Sequence, residues 1–465
     1  MKMMKQWRTV PRAQFARGAV LCVFATVAWT LPLACVYAAE PALAFPGAQG
    51  WAAHTPGGRG GQILKVTTLA ADGPGSLTEA VRTKGPRIIV FEVGGTIDLG
   101  ERTLHIDEPY LTIAGQTAPS PGITLVRGKG VAISAHDVIV QHIRVRSGDS
   151  GKAKGGGWST DAMRTESAHD VIIDHCSLYW ATNKIIAASG PRFDGKTPGE
   201  WREHTAHRVT FSNNIVAEAL SHSTHWKIEH SKGALIHDNT TDIAIVSNLF
   251  AHNYERSPLV KGGSHVAIVN NFIYDPGQRA VHYNLIAEEW GKHPYQTGHI
   301  TAVGNVLRAG MSTPLPLAFL EFGGAGDLEY YARDNIAVDK VGGPLPMIAR
   351  YTTSRAKVIE VKEPSLWPGS TAPIPAEDVE LSVLTQAGAR PWDRDYHDAR
   401  LVADAAEGRG WIIDSQEDVH GYLETKEATH RKFNAVDWDL ATMQPRKPEL
   451  LDDSAKNKTL MEPSK

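Results

Sequence analysis

Six short runs in the middle of the chain share one alternation of apolar and polar positions: "VIVQHIRV", "VIIDHCSL", "TFSNNIVA", "AIVSNLFA", "AIVNNFIY" and "TAVGNVLR". Each is a β-prone apolar run, a polar His or Asn, and a second β-prone run. The markers are His142, His175, Asn214, Asn248, Asn271 and Asn305, with Asn335 in "YARDNIAV" as a seventh. They are separated by 33, 39, 34, 23, 34 and 30 residues. Short strands at such intervals, with glycine-rich connections and little helical periodicity, predict stacked solenoid coils. The 23-residue interval reads as a bare coil and the longer ones as coils carrying loops. Stacking places the marker side chains in a ladder, each hydrogen-bonding the neighbouring turn, so these residues are structural. "RIIVFEVGGTI", "YLTIAG", "ITLVRG" and "VAISA" extend the series backwards. An all-β fold, a β-helix over about residues 45–345, is the expectation.

The pattern changes beyond residue 345. "KEPSLWPGSTAPIPAEDVE" is a proline-rich linker, "DRDYHDARLVADAAEG" has helical apolar spacing with a Gly stop, and the terminus is polar. Residues 346–465 are expected to pack on the β-helix or cap it, since solenoid ends need covering.

The start of the chain reads differently again. Lys2, Lys5, Arg8, Arg12 and Arg17 precede "GAVLCVFATVAWTLPLACVYA", and "VYA" closes at Ala38. A basic segment, an apolar core and a small-residue site predict a secretory signal over 1–38, hence a secreted or periplasmic protein with 39–345 as its β-helix domain. No later segment is long and apolar enough to span a bilayer. The first 38 residues hold five of the 48 Lys and Arg and none of the 51 Asp and Glu, so their removal moves the formal charge from -3 to -8. That balance argues against a nucleic-acid-binding surface. Any polyanion must be held by local cations. Cys22 and Cys35 leave with the signal, and Cys176 remains without an intrachain partner. Stability must then come from a large apolar core.

Function in a solenoid sits on inserted loops. Three stretches qualify: 148–184, 220–235 and "AHNYERSPLVKGG" at 251–263. In the last, Pro258 fixes its own φ and restricts the residue before it, so Arg256 and Lys261 sit on a stiff corner.

These residues carry a family resemblance. "FPGAQGWAAHTPGGRGG" with "ADGPGSLTEAV", then "TDAM" and "VIIDHCS", then "ERSPLVKGG" and "VNNFIY" resemble the pectate lyase family of polysaccharide lyases, in the family's order over about residues 45–310. "ARPWDRDYHDARLVAD" resembles the C-terminal segment of bacterial members. The resemblance implies a right-handed parallel β-helix and β-elimination of a uronate polymer such as pectate or pectin, giving 4,5-unsaturated oligouronides. It implies Arg256 as the catalytic base, Lys261 as a contact to the substrate carboxylate, and Asp161 as a calcium-binding aspartate. Asp174 and His175 resemble the family's Asp-His pair, which supports the fold. Asp149 is a further acidic candidate for metal. An arginine base is chemically awkward, since only a desolvated, cation-crowded site lowers its pKa.

One departure changes the expected chemistry. Bacterial relatives have an acidic pair where "SLYWATNK" gives Asn183 and Lys184. Calcium needs several oxygen ligands, usually carboxylates among them, so its binding is weakened here. Lys184 can supply the cation itself. In "LSHSTHWKIEHSKGAL", His225 and Lys227 are candidate substrate contacts, and the histidine spacing gives no tetrahedral zinc set. Trp158, Trp180 and Trp226 are candidates for stacking on sugar faces. The expected partner is an acidic polysaccharide, engaged by a monomer. A lyase for another uronate polymer and a non-catalytic carbohydrate-binding β-helix remain as alternatives. A hydrolase would need paired carboxylates, which the loops lack.

Overall fold

The computed structural model describes residues 41–230, 232–423 and 427–451. The signal read over 1–38 and the polar terminus past 451 lie outside them. Three long sheets of eleven, nine and ten strands run along a parallel β-helix. Within each, neighbouring β-helix strands come from successive coils and pair in parallel. His169–Asp174, His207–Ser212, Thr241–Val246 and His265–Val269 are consecutive members of the eleven-stranded sheet. The stack continues to Val358–Glu360, past the end expected at 345.

The apolar runs are nearly continuous because both sheet faces are covered. Val171, Ile173, Val209, Phe211, Ile243 and Ile245 point into the central core. On the outer face, Ile139 and Ile172 meet Ala44, Phe45 and Ala52, while Ala244 and Ala267 meet Trp51 and Trp367.

The amide ladder is present. Asn214, Asn248, Asn271 and Asn305 each donate through Nδ2 to the next coil's Oδ1, ending at Asn335, at 2.9–3.0 Å. Each is preceded by a left-handed residue that turns the chain between sheets: Asn213, Ser247, Asn270, Gly304 and Asp334, with φ between 52° and 66°. At its N-terminal end the ladder does not pass through the two marker histidines. The residue that meets the Asn214 side chain is Cys176, whose N–H donates to Asn214 Oδ1 at 2.8 Å. His142 and His175 occupy the left-handed turn position one residue earlier and stack on each other outside the ladder. Short polar and His side chains tolerate that conformation, which explains the shared look of the two positions.

The C-terminal segment lies along the outside of the ten-stranded sheet. Helices Ala376–Gln386 and Tyr396–Glu407 bury Val379, Val383, Leu401 and Ala405 against Ile215, Leu249, Phe272 and Val306. Asp395 caps the second helix, and Gly408, in the left-handed region, is the expected stop that ends it. Thr429–His430 adds an antiparallel strand at the edge formed by Val93 and Gly94.

A buried charge network joins helix to sheet. Asp398 accepts from Arg144 Nε at 2.9 Å, Arg146 Nη2 at 3.2 Å, Ser177 Oγ at 3.0 Å and Tyr179 Oη at 2.6 Å. Removing one partner of a buried ion network strands the others. Asp398→Ala is therefore expected to cost about 3–5 kcal/mol of stability. An unfolding free energy from denaturant titration within about 1 kcal/mol of the parent would contradict this role.

Candidate active site

The strands of the nine-stranded sheet start where connections arrive from the ten-stranded sheet. Asp161 opens Asp161–Glu166, Lys184 opens Lys184–Ser189, and Lys232 opens Lys232–Ile236. The register pairs Asp161 with Lys184 and Lys184 with Lys232. In the next coil Leu235 pairs with Leu259 of strand Leu259–Lys261. Carried back along both strands, that register sets Arg256 beside Lys232. Four successive coils thus present an acid, two lysines and an arginine in a row, about 4.8 Å per step.

The corner carrying Arg256 is fixed by its neighbours. Arg256 has φ 70°, and its carbonyl accepts from the Ala234 N–H at 2.5 Å. Ser257 N–H donates to the Ala280 carbonyl, and the Pro258 carbonyl accepts from the His282 N–H, both at 3.0 Å. A Cβ on Gly233 would come within 2.5 Å of the Arg256 carbonyl, so this close approach requires glycine there.

Glu255 organises the cations. Its carboxylate lies 3.5 Å from Lys232 Nζ, 3.6 Å from Arg256 Nε and 2.6 Å from Arg279 Nη1. Burial works to raise its pKa, but His282, Lys232, Arg256 and Arg279 outweigh that and hold it at about 2. Burial pulls Arg256 below its ordinary pKa, against the opposing charge of Glu255. Burial also lowers the Lys232 amine, with Glu255 opposing and Arg256 assisting. Lys232 Nζ sits 4.2 Å over the Tyr254 ring. Arg256 Nε is buried and makes no hydrogen bond among the described residues. Its ion-pair partner, the Glu255 carboxylate, stands at 3.6 Å, beyond hydrogen-bond distance, so a carboxylate placed closer would gain a charge-assisted hydrogen bond from it.

Lys261 is placed differently. Its amine is paired with Glu289 and lies 3.6 Å from Asp238, and Arg192 contacts the same two acids.

At the other end of the row, Asp161 Oδ1 accepts from Asn183 Nδ2 at 2.8 Å, and Oδ2 lies 3.4 Å from Lys184 Nζ. Both carboxylate oxygens are engaged, one by an ammonium. That donor set does not fit calcium. Asp149 has other partners: it accepts from Ser415 Oγ at 2.7 Å and Gln416 Nε2 at 2.8 Å. It secures the C-terminal segment there and no contact joins it to Asp161.

The loop 220–230 stands beside the row. His230 Nε2 lies 2.9 Å from Asn183 Oδ1, and its ring stacks on His225 at 4.1 Å between centroids. His225 is buried, Lys227 is exposed with Nζ 4.9 Å over the Trp226 ring, and Trp226 is 64 % exposed. Trp158 and Trp180 are buried, with indole N–H groups donated to Gly148 and Glu218. They belong to the framework.

Among the described residues, His142, Asp174 and His175 form a cluster with metal-like spacing. Asp174 is already saturated by Gln141, His175, Ser212 and Asn213. His142 Nδ1 meets the Ala389 carbonyl at 2.7 Å. The cluster braces the C-terminal segment, in keeping with a supporting role for the Asp-His pair.

No motif in the sequence marks Lys232, Glu255 or Arg279 as a site residue. The signal for Lys232 was positional: in "SKGALI" it opens a strand just as Lys184 does in "NKIIAA".

No protein-family model matches the chain. A probable pectate lyase C from Aspergillus oryzae (strain ATCC 42149 / RIB 40) is 31% identical over 390 residues, covering 82% of this chain and 81% of the relative. The chain belongs to the pectate lyase family. A second probable pectate lyase C, from Emericella nidulans, is 36% identical over 236 residues, 50% of this chain. That match spans about half of the relative's own length, 48%. Among solved structures, Jun a 1, the major allergen from cedar pollen, aligns with a TM-score of 0.52 at 14% identity, covering 73% of this chain and 92% of the allergen. This likeness concerns the fold, and it is a parallel β-helix that the pectate lyase family member has in common with it.

Proposed function

We propose that the protein is a polysaccharide lyase that cleaves pectate or pectin by β-elimination. The observation that carries this reading is the row Lys184–Lys232–Arg256, in which the buried Nε of Arg256 makes no hydrogen bond among the described residues. In β-elimination the proton beside the uronate carboxylate leaves. The electron pair of the broken C–H bond forms the new double bond, the bond to the glycosidic oxygen breaks, and that oxygen takes up a proton. Negative charge builds on the carboxylate during the step, and preformed cations stabilise it.

Arg256 is the catalytic residue, as base or as indispensable cation. Lys232 and Lys184 hold the carboxylate. Lys184 supplies the charge that calcium would bring, since Asp161 is occupied by Asn183 and Lys184. Lys261 serves the site only by exchanging Glu289 for a polymer carboxylate. His225 and Lys227 belong to the loop that borders the sugar. The basic start and "VYA" site support export to the periplasm or medium, and no described helix is long and apolar enough to cross a membrane. The β-helix and its C-terminal segment act as one monomeric enzyme.

The test is incubation of purified protein with polygalacturonate, methylated pectin and alginate, followed by mass analysis of the products. Oligouronides with unsaturated non-reducing ends from the first two support the reading. Unsaturated products from alginate alone would assign another uronate polymer, and binding without cleavage would make the protein a carbohydrate-binding β-helix.

Trp226 is expected to stack on a sugar face. Trp226→Ala should raise KM about two- to tenfold with kcat nearly unchanged. An unchanged KM would remove Trp226 from the binding surface.

A further inference from the structure

The loop beside the row carries a hydrogen-bond relay whose proton positions can be deduced. Asp161 lies 2.8 Å from Asn183 Nδ2. A carboxylate only accepts, so the Asn183 amide nitrogen must face it. The Asn183 oxygen then faces His230 Nε2 at 2.9 Å. An amide oxygen also only accepts, so the His230 proton sits on Nε2 and Nδ1 keeps a bare lone pair. On the stacked ring, the Lys227 N–H donates to His225 Nδ1 at 3.1 Å, which puts that proton on Nε2. Burial first, then the charges of His225, Arg256, Lys227 and Lys232, hold His230 neutral, with a pKa of about 3. Those neighbours also place the ring at the cationic row.

The acids of the row are taken: Asp161 by Asn183 and Lys184, Glu255 by Lys232 and Arg279. His230 Nδ1 has no partner among the described residues. We propose that His230 Nδ1 accepts a hydrogen bond from a ring hydroxyl of the sugar whose carboxylate lies on Lys184, Lys232 and Arg256. The site thereby selects uronates with unacetylated hydroxyls. An O-acetyl group removes the donor and adds bulk at the same point, leaving the imidazole lone pair unmatched. The inference deepens the lyase reading and rests on it for the class of ligand. Asn183 is the positioning residue, because its fixed amide sets the His230 tautomer.

The test is calorimetric titration of the full chain with unacetylated and O-acetylated oligogalacturonides. The unmodified protein should bind the unacetylated form at least about tenfold tighter. His230→Ala should lose about three- to tenfold in affinity for the unacetylated form, keep its affinity for the acetylated one, and discriminate correspondingly less. Asn183→Ala should lose part of the same discrimination. A purely structural role for His230 would weaken both ligands together and leave their ratio unchanged. That result overturns the inference, as does an unmodified protein that binds both forms equally or neither. Unsaturated product, followed in parallel, judges the lyase reading separately. Product without discrimination removes the His230 role alone, and discrimination without product removes the lyase activity alone.

Discussion

Replacing Arg256 by lysine is expected to lower kcat by about 10²–10³ while the protein stays folded. Lysine keeps the charge but loses the planar fork, and with it Nε, which is buried and makes no hydrogen bond among the described residues. The shorter reach of one ammonium cannot satisfy a carboxylate from the same point. The backbone also matters: Arg256 holds a left-handed φ, which any non-glycine replacement bears equally, so Arg256→Lys adds no new strain. Initial rates of unsaturated-product release, together with a thermal melt, check both parts. A variant within about threefold of the parent rate would remove Arg256 from the chemistry.

The second large effect concerns Lys184. Lys184→Ala should lower the rate by about a hundredfold, because the row loses the charge that stands where carboxylates would hold a metal. The same change frees one oxygen of Asp161 but adds no new ligand, so calcium should not restore the activity. The double change Asn183→Asp and Lys184→Glu is expected to do so, since it builds three carboxylates around one point. Rates measured with added calcium and with chelator separate these cases. Full activity in Lys184→Ala would show that its charge is not used.

Much of this was legible in the sequence, and the reasons are physical. The coils showed because one repeated unit, an apolar run and an Asn, recurs under the same packing constraint from Asn214 to Asn335. The helix Tyr396–Glu407 showed through its apolar spacing and its Gly408 stop. The markers His142 and His175 misled by one residue because the left-handed turn and the ladder position adjoin, and both accept small polar side chains. Arg256 was visible from its motif, whereas Lys232 and Glu255 were not. Their role depends on register between coils about two dozen residues apart, which puts Lys232 beside Arg256 and Glu255 among three cations. Lys261 shows the converse. Its motif position reads as a substrate contact, while its amine is paired with Glu289 and Asp238, partners that no local pattern announces. Asp149 likewise reads as a loose acid and proves to be bonded to Ser415 and Gln416, far along the chain.

The most direct measurement is the initial rate of unsaturated-product release from polygalacturonate and methylated pectin, with and without a calcium chelator. If the row of cations replaces the metal, most of the activity survives chelation. Complete loss on chelation, restored by added calcium, would contradict it and return the chemistry to a metal held through Asp161.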